Sequence, residues 1–234
     1  MKFRKKINIY ADGVDLKDLK KINQPIINGF TFNPSLFRSN NVTNYINHSK
    51  KILKIIKNKP VSLEIIADDE KNMIRQAYKL SNLANNVFVK IPISNTKGVS
   101  SRNVIKELSS NNIKLNVTAI FTLDQVKQVL DVMDSPKNIL SIFSGRIFDI
   151  GIDAVKHTRK INKYIKKHSK CKSLWASPRM VFDVINAIDA ESNIITMSPQ
   201  LISKLSLFNK SADDFSLDTV KMFYNDAMKS KYKF

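Results

Sequence analysis

Eight short apolar runs, each followed by a segment of helical character, constrain this chain more than any other feature. The runs are Ile7–Ala11, Gly29–Phe32, Val61–Ile66, Val87–Ile93, Leu115–Phe121, Ile139–Phe143, Ser173–Ala176 and Ile194–Met197. Runs this short, rich in β-branched and aromatic residues, read as buried strands. Between them, apolar residues recur three or four positions apart. Leu53, Ile55 and Ile56 mark one helix, and Val126, Val129, Leu130 and Met133 another. Ala154, Ile161 and Ile165 mark a third, and Val181, Val184 and Ile185 a fourth. Start signals agree: Asp68 and Asp69 precede one helix, and Thr122 with Gln125 forms a capping-box pattern before the next. Strand alternating with helix, eight times in 234 residues, predicts an α/β fold, a single (β/α)8 TIM barrel over residues 1–234. An open doubly wound sheet is the alternative, but no glycine-rich phosphate loop follows any run. A further helix is expected from Ser216 to Lys229, with Leu217, Val220, Phe223 and Ala227 on one stripe. It has no strand to pair with, so it is expected to cap the barrel or to pack on another subunit of a homo-oligomer.

The bulk numbers narrow the function. An apolar fraction of 43% supports a full core. The one cysteine, Cys171, excludes an internal disulfide framework. No apolar run approaches the length of a membrane span. After the basic start, Met1 to Lys6, the apolar run is only INIYA, too short for a signal peptide. No membrane partner and a cytoplasmic location are therefore expected. A net charge of +19 raises the prospect of a nucleic-acid binder or a basic polyanion-binding scaffold. Only 7 of the 39 basic residues are arginine, however, and the lysines are scattered. No helix-turn-helix spacing or aromatic RNA-binding signature is present, so no nucleic-acid partner is expected. The positive field would still favour an anionic substrate.

In a barrel of this kind, chemistry sits at the C-terminal ends of the strands. Those ends carry Asp12, Asn33, Glu64, Lys90, Asn116 with Thr118, Ser141 with Arg146, and Ser177 with Arg179. Each has an ordinary alternative. Asp12 would serve as a helix cap, Asn33 before Pro34 as a turn residue, and Thr118 as a β-former. Lys90, closing the run VFVK before Ile91 and Pro92, would snorkel to water. Burial of such an amine instead disfavours charge, and a neutral amine attacks carbonyls to form a Schiff base. Glu64, inside an apolar run, needs a partner if buried. An amine, two carboxylates and a hydroxyl suit Schiff-base carbon–carbon chemistry, in which carboxyl groups move the protons. Two arginines suit a phosphate. The histidines, His48, His157 and His168, stand at no strand end. A metal site is not expected, and neither is a cofactor.

These residues resemble the transaldolase family, in its short form that includes the fructose-6-phosphate aldolases. The matching stretches are FTFNPSL (Phe30–Leu36), VSLE (Val61–Glu64), VFVKIP (Val87–Pro92), IKLNVTAIF (Ile113–Phe121), SIFSGRIFDIG (Ser141–Gly151) and WASPR (Trp175–Arg179). The resemblance implies that Lys90 is the Schiff-base lysine and Asp12 the acid/base. It implies that Glu64 and Thr118 position the catalytic water. Asn33, Asn116 and Ser141 would hold the donor's hydroxyls, and Arg146, Ser177 and Arg179 its phosphate. The substrates implied are phosphorylated sugars: a ketose phosphate such as fructose 6-phosphate or sedoheptulose 7-phosphate as donor, and an aldose phosphate such as erythrose 4-phosphate as acceptor. Aldolase-type members carry glutamine in place of Glu64 and tyrosine in place of Phe143, so these two residues favour the pentose-phosphate-type transfer over release of dihydroxyacetone. The chain departs from the common pattern at Phe32, Ile142 and Gly13. Its WASPR and VKMFYNDA segments are similar to those of transaldolase-like proteins of surface-polysaccharide sugar metabolism, which implies a specialised sugar as a further option.

Overall fold

The computed structural model describes residues 6–39, 41–230 and 232. Eight parallel strands close into a barrel in sequence order. They are β1 (Asn8–Asp12), β2 (Ile27–Thr31), β3 (Val61–Glu64), β4 (Val87–Pro92), β5 (Leu115–Ile120), β6 (Ile139–Ile142), β7 (Lys172–Trp175) and β8 (Ile194–Met197). Around them lie α1 (Leu19–Ile22), α2 (Pro34–Ser39), α3 (Tyr45–Ile55), α4 (Glu70–Ser81), α5 (Arg102–Ser110) and α6 (Leu123–Val129). The ring continues with α7 (Ser144–Asp149), α8 (Ala154–His168), α9 (Asp183–Asp189) and α10 (Pro199–Ser203). Beyond it runs α11 (Ala212–Ser230). This is a TIM barrel with an extra C-terminal helix, as the alternation of runs predicts.

Strand alternation sorts the apolar residues into two layers. Residues such as Val87, Val89 and Ile91 face outward into the core shared with Ile52, Ile105, Val126 and Ile161 of the helices. The inward residues are fewer. Tyr10, Ile139, Leu174, Ala176 and Ile194 form a separate plug, with Phe88 and Phe143 against it. The Tyr10 ring occupies the space that a Cβ on Gly29 would need, 2.6 Å from its nearest atom. Burial pushes the Tyr10 phenol up to about 12.

Helix starts follow the expected chemistry. Asp69 accepts from the Asn72 amide at α4, and Thr122 with Gln125 completes a capping box at α6. Two differences from expectation have local causes. β2 begins at Ile27 rather than Gly29, because the exposed Asn28 turns its Oδ1 to the Ile9 amide (3.0 Å) where the β1–β2 register is irregular. α11 begins earlier than Ser216, because Ser211 Oγ accepts from the Asp214 amide. No residue of α11 is buried, so it does not cap this barrel: Phe215, Leu217, Val220, Met222, Phe223, Tyr224 and Met228 are all exposed.

The turn after β6 passes very close to the end of β7. Gly145 donates its amide to the Ala176 carbonyl at 3.2 Å, and a Cβ on Gly145 would lie 1.6 Å from the Ser177 carbonyl oxygen. Backbone cannot yield there as a flexible side chain would. Gly145→Ala is therefore expected to destabilise the fold by at least about 1–3 kcal/mol, read as a lower urea midpoint with an unchanged slope.

Candidate active site

Lys90 points into the barrel from β4 and is 7% exposed. Its Nζ lies 3.0 Å from Glu64 Oε2, and the Glu64 side chain is 17% exposed. The pair is a consequence of register. Glu64 is aligned with Lys90, and Lys90 with Asn116, across β3, β4 and β5. Aligned residues in parallel strands face the same side, so one stretch of register sets all three inward. Removing one member of a buried pair leaves an uncompensated charge, at a cost of about 3–5 kcal/mol.

Beside Lys90 a chain of hydrogen bonds links β6, β5 and β3. Ser141 Oγ donates to Asn116 Oδ1 (2.6 Å), and Asn116 Nδ2 donates to Ser62 Oγ (3.0 Å). All three residues are buried. Asn116 thus has its amide orientation fixed from both sides. Beside it, Thr118 Oγ1 is buried and has no hydrogen-bond partner among the described residues. A buried hydroxyl without a partner is costly in a core and reasonable at a ligand site.

Asp12 ends β1 and accepts from Thr31 Oγ1 at 2.6 Å. Burial holds its carboxyl above the usual carboxylate range; Lys90 and the Thr31 hydrogen bond pull it down, and Glu64 pushes it up. Asp12, Lys90, Thr118 and Ser141 line one cavity with Asn33, Phe143 and Ser177. Thr31 and Thr196 line it too. With its open mouth included, the cavity holds about 340 Å³ of atom-free space.

Asn33 also caps α2, its Oδ1 accepting from the Leu36 amide at 2.9 Å. Ser177 adopts φ 56°, in the left-handed region, which turns the chain sharply after β7. Glu64 does not line the cavity. It stands at a groove between α3 and α4, where Tyr45 donates to its backbone carbonyl at 2.7 Å. The two arginines lie outside the cavity and are exposed. Arg146 is stacked over the Phe143 ring, 5.4 Å from its centroid. Arg179 pairs through Nε and Nη2 with Asp149 of α7. Asp149 does not engage Nη1.

The histidines and the cysteine lie apart from this set. His157 Nε2 meets the Phe121 carbonyl at 2.7 Å, His48 packs edge-on to Phe37, and Cys171 is buried against the Met133 carbonyl.

Sequence reasoning missed four contributors. Thr31 and Thr196 read as ordinary β-formers, and only the third dimension shows that they meet. Asp149 lies 30 residues from Arg179. Asp183 is fully buried and accepts from the amides of Arg179 and Met180, which holds the turn after β7. The signal for Asp183 was an acid at the first position of α9, four residues after Arg179; its side chain reaches back to the turn rather than capping the helix.

Comparison with known proteins decides the family. A family model described as transaldolase/fructose-6-phosphate aldolase matches residues 9–233. The chain belongs to the transaldolase/fructose-6-phosphate aldolase family. It is 32% identical over 202 residues to a probable transaldolase of Nitrosopumilus maritimus, covering 85% of this chain and 87% of that protein. A probable transaldolase of Methanococcus vannielii is 29% identical over 214 residues, covering 91% and 94%. Among solved structures, 2,3-dimethylmalate lyase superposes with a TM-score of 0.60 at 11% identity, covering 99% of this chain and 88% of that one. That likeness speaks for the barrel alone. As a member of this transaldolase/aldolase family the chain is an enzyme of the transferase/aldolase type.

The raised Asp12 carboxyl has a consequence for stability. Between the ordinary carboxylate value and its own higher one, the folded chain holds a proton that the unfolded chain has lost. This contribution to stability is present at low pH and is lost as pH rises through that window. Asp12→Asn is therefore expected to raise the urea midpoint relative to the parent at pH 8, with a smaller gain at pH 4. An equal gain at both values would show that Asp12 does not titrate in this way.

Proposed function

We propose that the protein is a transaldolase that moves a dihydroxyacetone unit from a ketose phosphate, such as fructose 6-phosphate or sedoheptulose 7-phosphate, to an aldose phosphate, such as erythrose 4-phosphate, through a Schiff base on Lys90. The observation that carries this reading is the buried Lys90 amine, 3.0 Å from Glu64 and facing the cavity that Asp12 shares. The contact of Glu64 with Nζ suits transfer of the ammonium proton to Glu64, which frees the amine to attack the donor C2 carbonyl. Loss of water from the carbinolamine needs acid, and Asp12 holds a proton above the ordinary carboxylate range. The ionised Asp12 then takes the proton of the C4 hydroxyl as the C3–C4 bond breaks. Glyceraldehyde 3-phosphate departs and an enamine stays on Lys90. The enamine adds to the acceptor aldehyde, and hydrolysis releases the new ketose.

The remaining residues fit parts of this cycle. The unpartnered Thr118 hydroxyl, on the face of Lys90, suits the water that hydrolyses the imine. Asn33, Asn116 and Ser141 suit the hydroxyls of the three-carbon unit. Arg146, Ser177 and Nη1 of Arg179 suit the distal phosphate, helped by the net charge of +19. Phe143 lines the cavity, stacked on Phe121 at 5.7 Å. A phenyl ring supplies no hydroxyl there to protonate the enamine, which favours transfer over release. A cytosolic enzyme that works as a homo-oligomer through α11 completes the reading, supported by the exposed apolar residues of that helix.

Borohydride reduction in the presence of fructose 6-phosphate is expected to add one three-carbon unit at Lys90, located by peptide mass. Lys90→Met should form no adduct and show no turnover, and Asp12→Ala should lower kcat by about 10²–10⁴-fold. An active Lys90→Met protein would end the Schiff-base reading. Without an acceptor, glyceraldehyde 3-phosphate should appear only to the extent of one equivalent per site; sustained release would make the protein an aldolase instead. Light scattering of a chain ending at residue 210 should show smaller particles than the full chain, and equal particle sizes would remove α11 from the assembly.

A further inference from the structure

Two hydroxyls that the proposed cycle does not use stand in line with Asp12. Thr31 Oγ1 lies 2.6 Å from Asp12 Oδ1 and also 2.6 Å from Thr196 Oγ1. Thr31 and Thr196 are buried and both line the cavity. They come from β2 and β8, the two neighbours of β1, and meet in front of it. Thr196 is aligned with Tyr10, two residues before Asp12, so it lies deeper in the barrel than the carboxyl.

A hydroxyl has one hydrogen, and that fixes the direction of the chain. With Asp12 ionised, Thr31 donates to the carboxylate, and Thr196 must then donate to Thr31. With Asp12 protonated on Oδ1, the carboxyl donates to Thr31, whose hydrogen turns to Thr196. The two states share the same heavy-atom positions and differ only in the direction of the O–H bonds. In the first, Thr196 offers lone pairs to the cavity; in the second, it offers a hydrogen. The charged groups that face Asp12 from the other strands are Lys90 of β4 and Glu64 of β3. Neither takes part in this chain.

We infer that Thr196 is the far end of a three-oxygen relay that carries a proton between a substrate hydroxyl at the floor of the cavity and the Asp12 carboxylate. This rests on the proposed role of Asp12 as proton carrier. In the forward direction a substrate hydroxyl gives its proton to Thr196, Thr196 gives its own to Thr31, and Thr31 gives its own to Asp12. Three O–H bonds break and three form, and the net result is one proton moved from substrate to Asp12. The return of the proton reverses each step. One carboxyl thereby serves hydroxyls at two depths without moving.

Thr196→Val keeps the shape and removes the hydroxyl. Each state then loses one hydrogen bond: the ionised form leaves a Thr31 lone pair unfilled, and the protonated form leaves the single Thr31 hydrogen without an acceptor, the costlier loss, so the protonated form is disfavoured. Titration of Asp12 by carbon NMR of labelled aspartate, assigned with Asp12→Asn, should show its midpoint lowered by about half to one pH unit, the size of one hydrogen bond. Thr196→Ser should restore the parent midpoint. In the transfer assay, Thr196→Val should lower kcat at unchanged KM, again with rescue by serine. An unchanged or raised midpoint overturns the relay. The NMR reading needs no activity, so it stands or falls apart from borohydride trapping at Lys90: trapping without the titration shift refutes the relay alone, and absence of trapping refutes the transaldolase reading.

Discussion

A lysine and a glutamate placed side by side inside a barrel dictate much of the rest of this structure. The contact of 3.0 Å between Lys90 and Glu64 sits among strands whose outward residues are apolar. Desolvating two ions costs several kcal/mol, and their attraction offsets this only where geometry and further hydrogen bonds are good. Register supplies the geometry. A slip of one residue in β3 or β4 would send one partner into the outer core among Leu63 and Val89, an arrangement the helices cannot accept. The outward apolar residues that make the barrel fold are therefore also what hold the charged pair inward.

The polar interior is built as two separate networks, one on each side of Lys90. On the β5 side, Ser62, Asn116 and Ser141 satisfy one another, and they give a rigid wall with fixed donors and acceptors. On the β1 side, Asp12, Thr31 and Thr196 form a chain whose hydrogens can turn. Partly satisfied polar groups are expensive in a low dielectric, which is why so few are left over. Thr118 is the exception in the cavity wall, and it faces the amine rather than the helices. A floor of Tyr10, Ile139, Leu174 and Ile194 closes the barrel beneath both networks and keeps them from bulk water.

Much of this was legible in the chain itself, for a physical reason. Period-two alternation ended by Pro92, or by the aspartates before α4, marks both a strand and its C-terminal end, and that end is where a barrel keeps its chemistry. Asp12, Lys90, Thr118 and Ser141 follow from that rule and do meet in one cavity. What stayed hidden is of a different kind. Thr31 and Thr196 are separated by 165 residues, and a threonine within a strand carries no mark that distinguishes a β-former from a hydrogen-bonding partner. The fate of Arg179 was equally illegible, since Asp149 reaches it from α7 only because Gly145 lets that turn press against the end of β7. The apolar stripe on the last helix was visible, but no local rule says whether such a stripe meets its own barrel.

Two carboxyl groups and one amine share the mouth, and their division of labour follows from position. Glu64 lies in contact with the amine and outside the cavity, beside the groove lined by Tyr45. Asp12 lies inside the cavity, where burial raises its proton affinity by more than Lys90 and the Thr31 hydrogen bond lower it. Two identical functional groups thus stand in different surroundings, one against the cation and one buried in the cavity wall. On the proposed reading, the carboxylate in contact manages the amine and the other manages the sugar. The alignment of Lys90 with Glu64 and Asn116 keeps the amine beside β3 and β5, while Asp12 faces it across the cavity from β1.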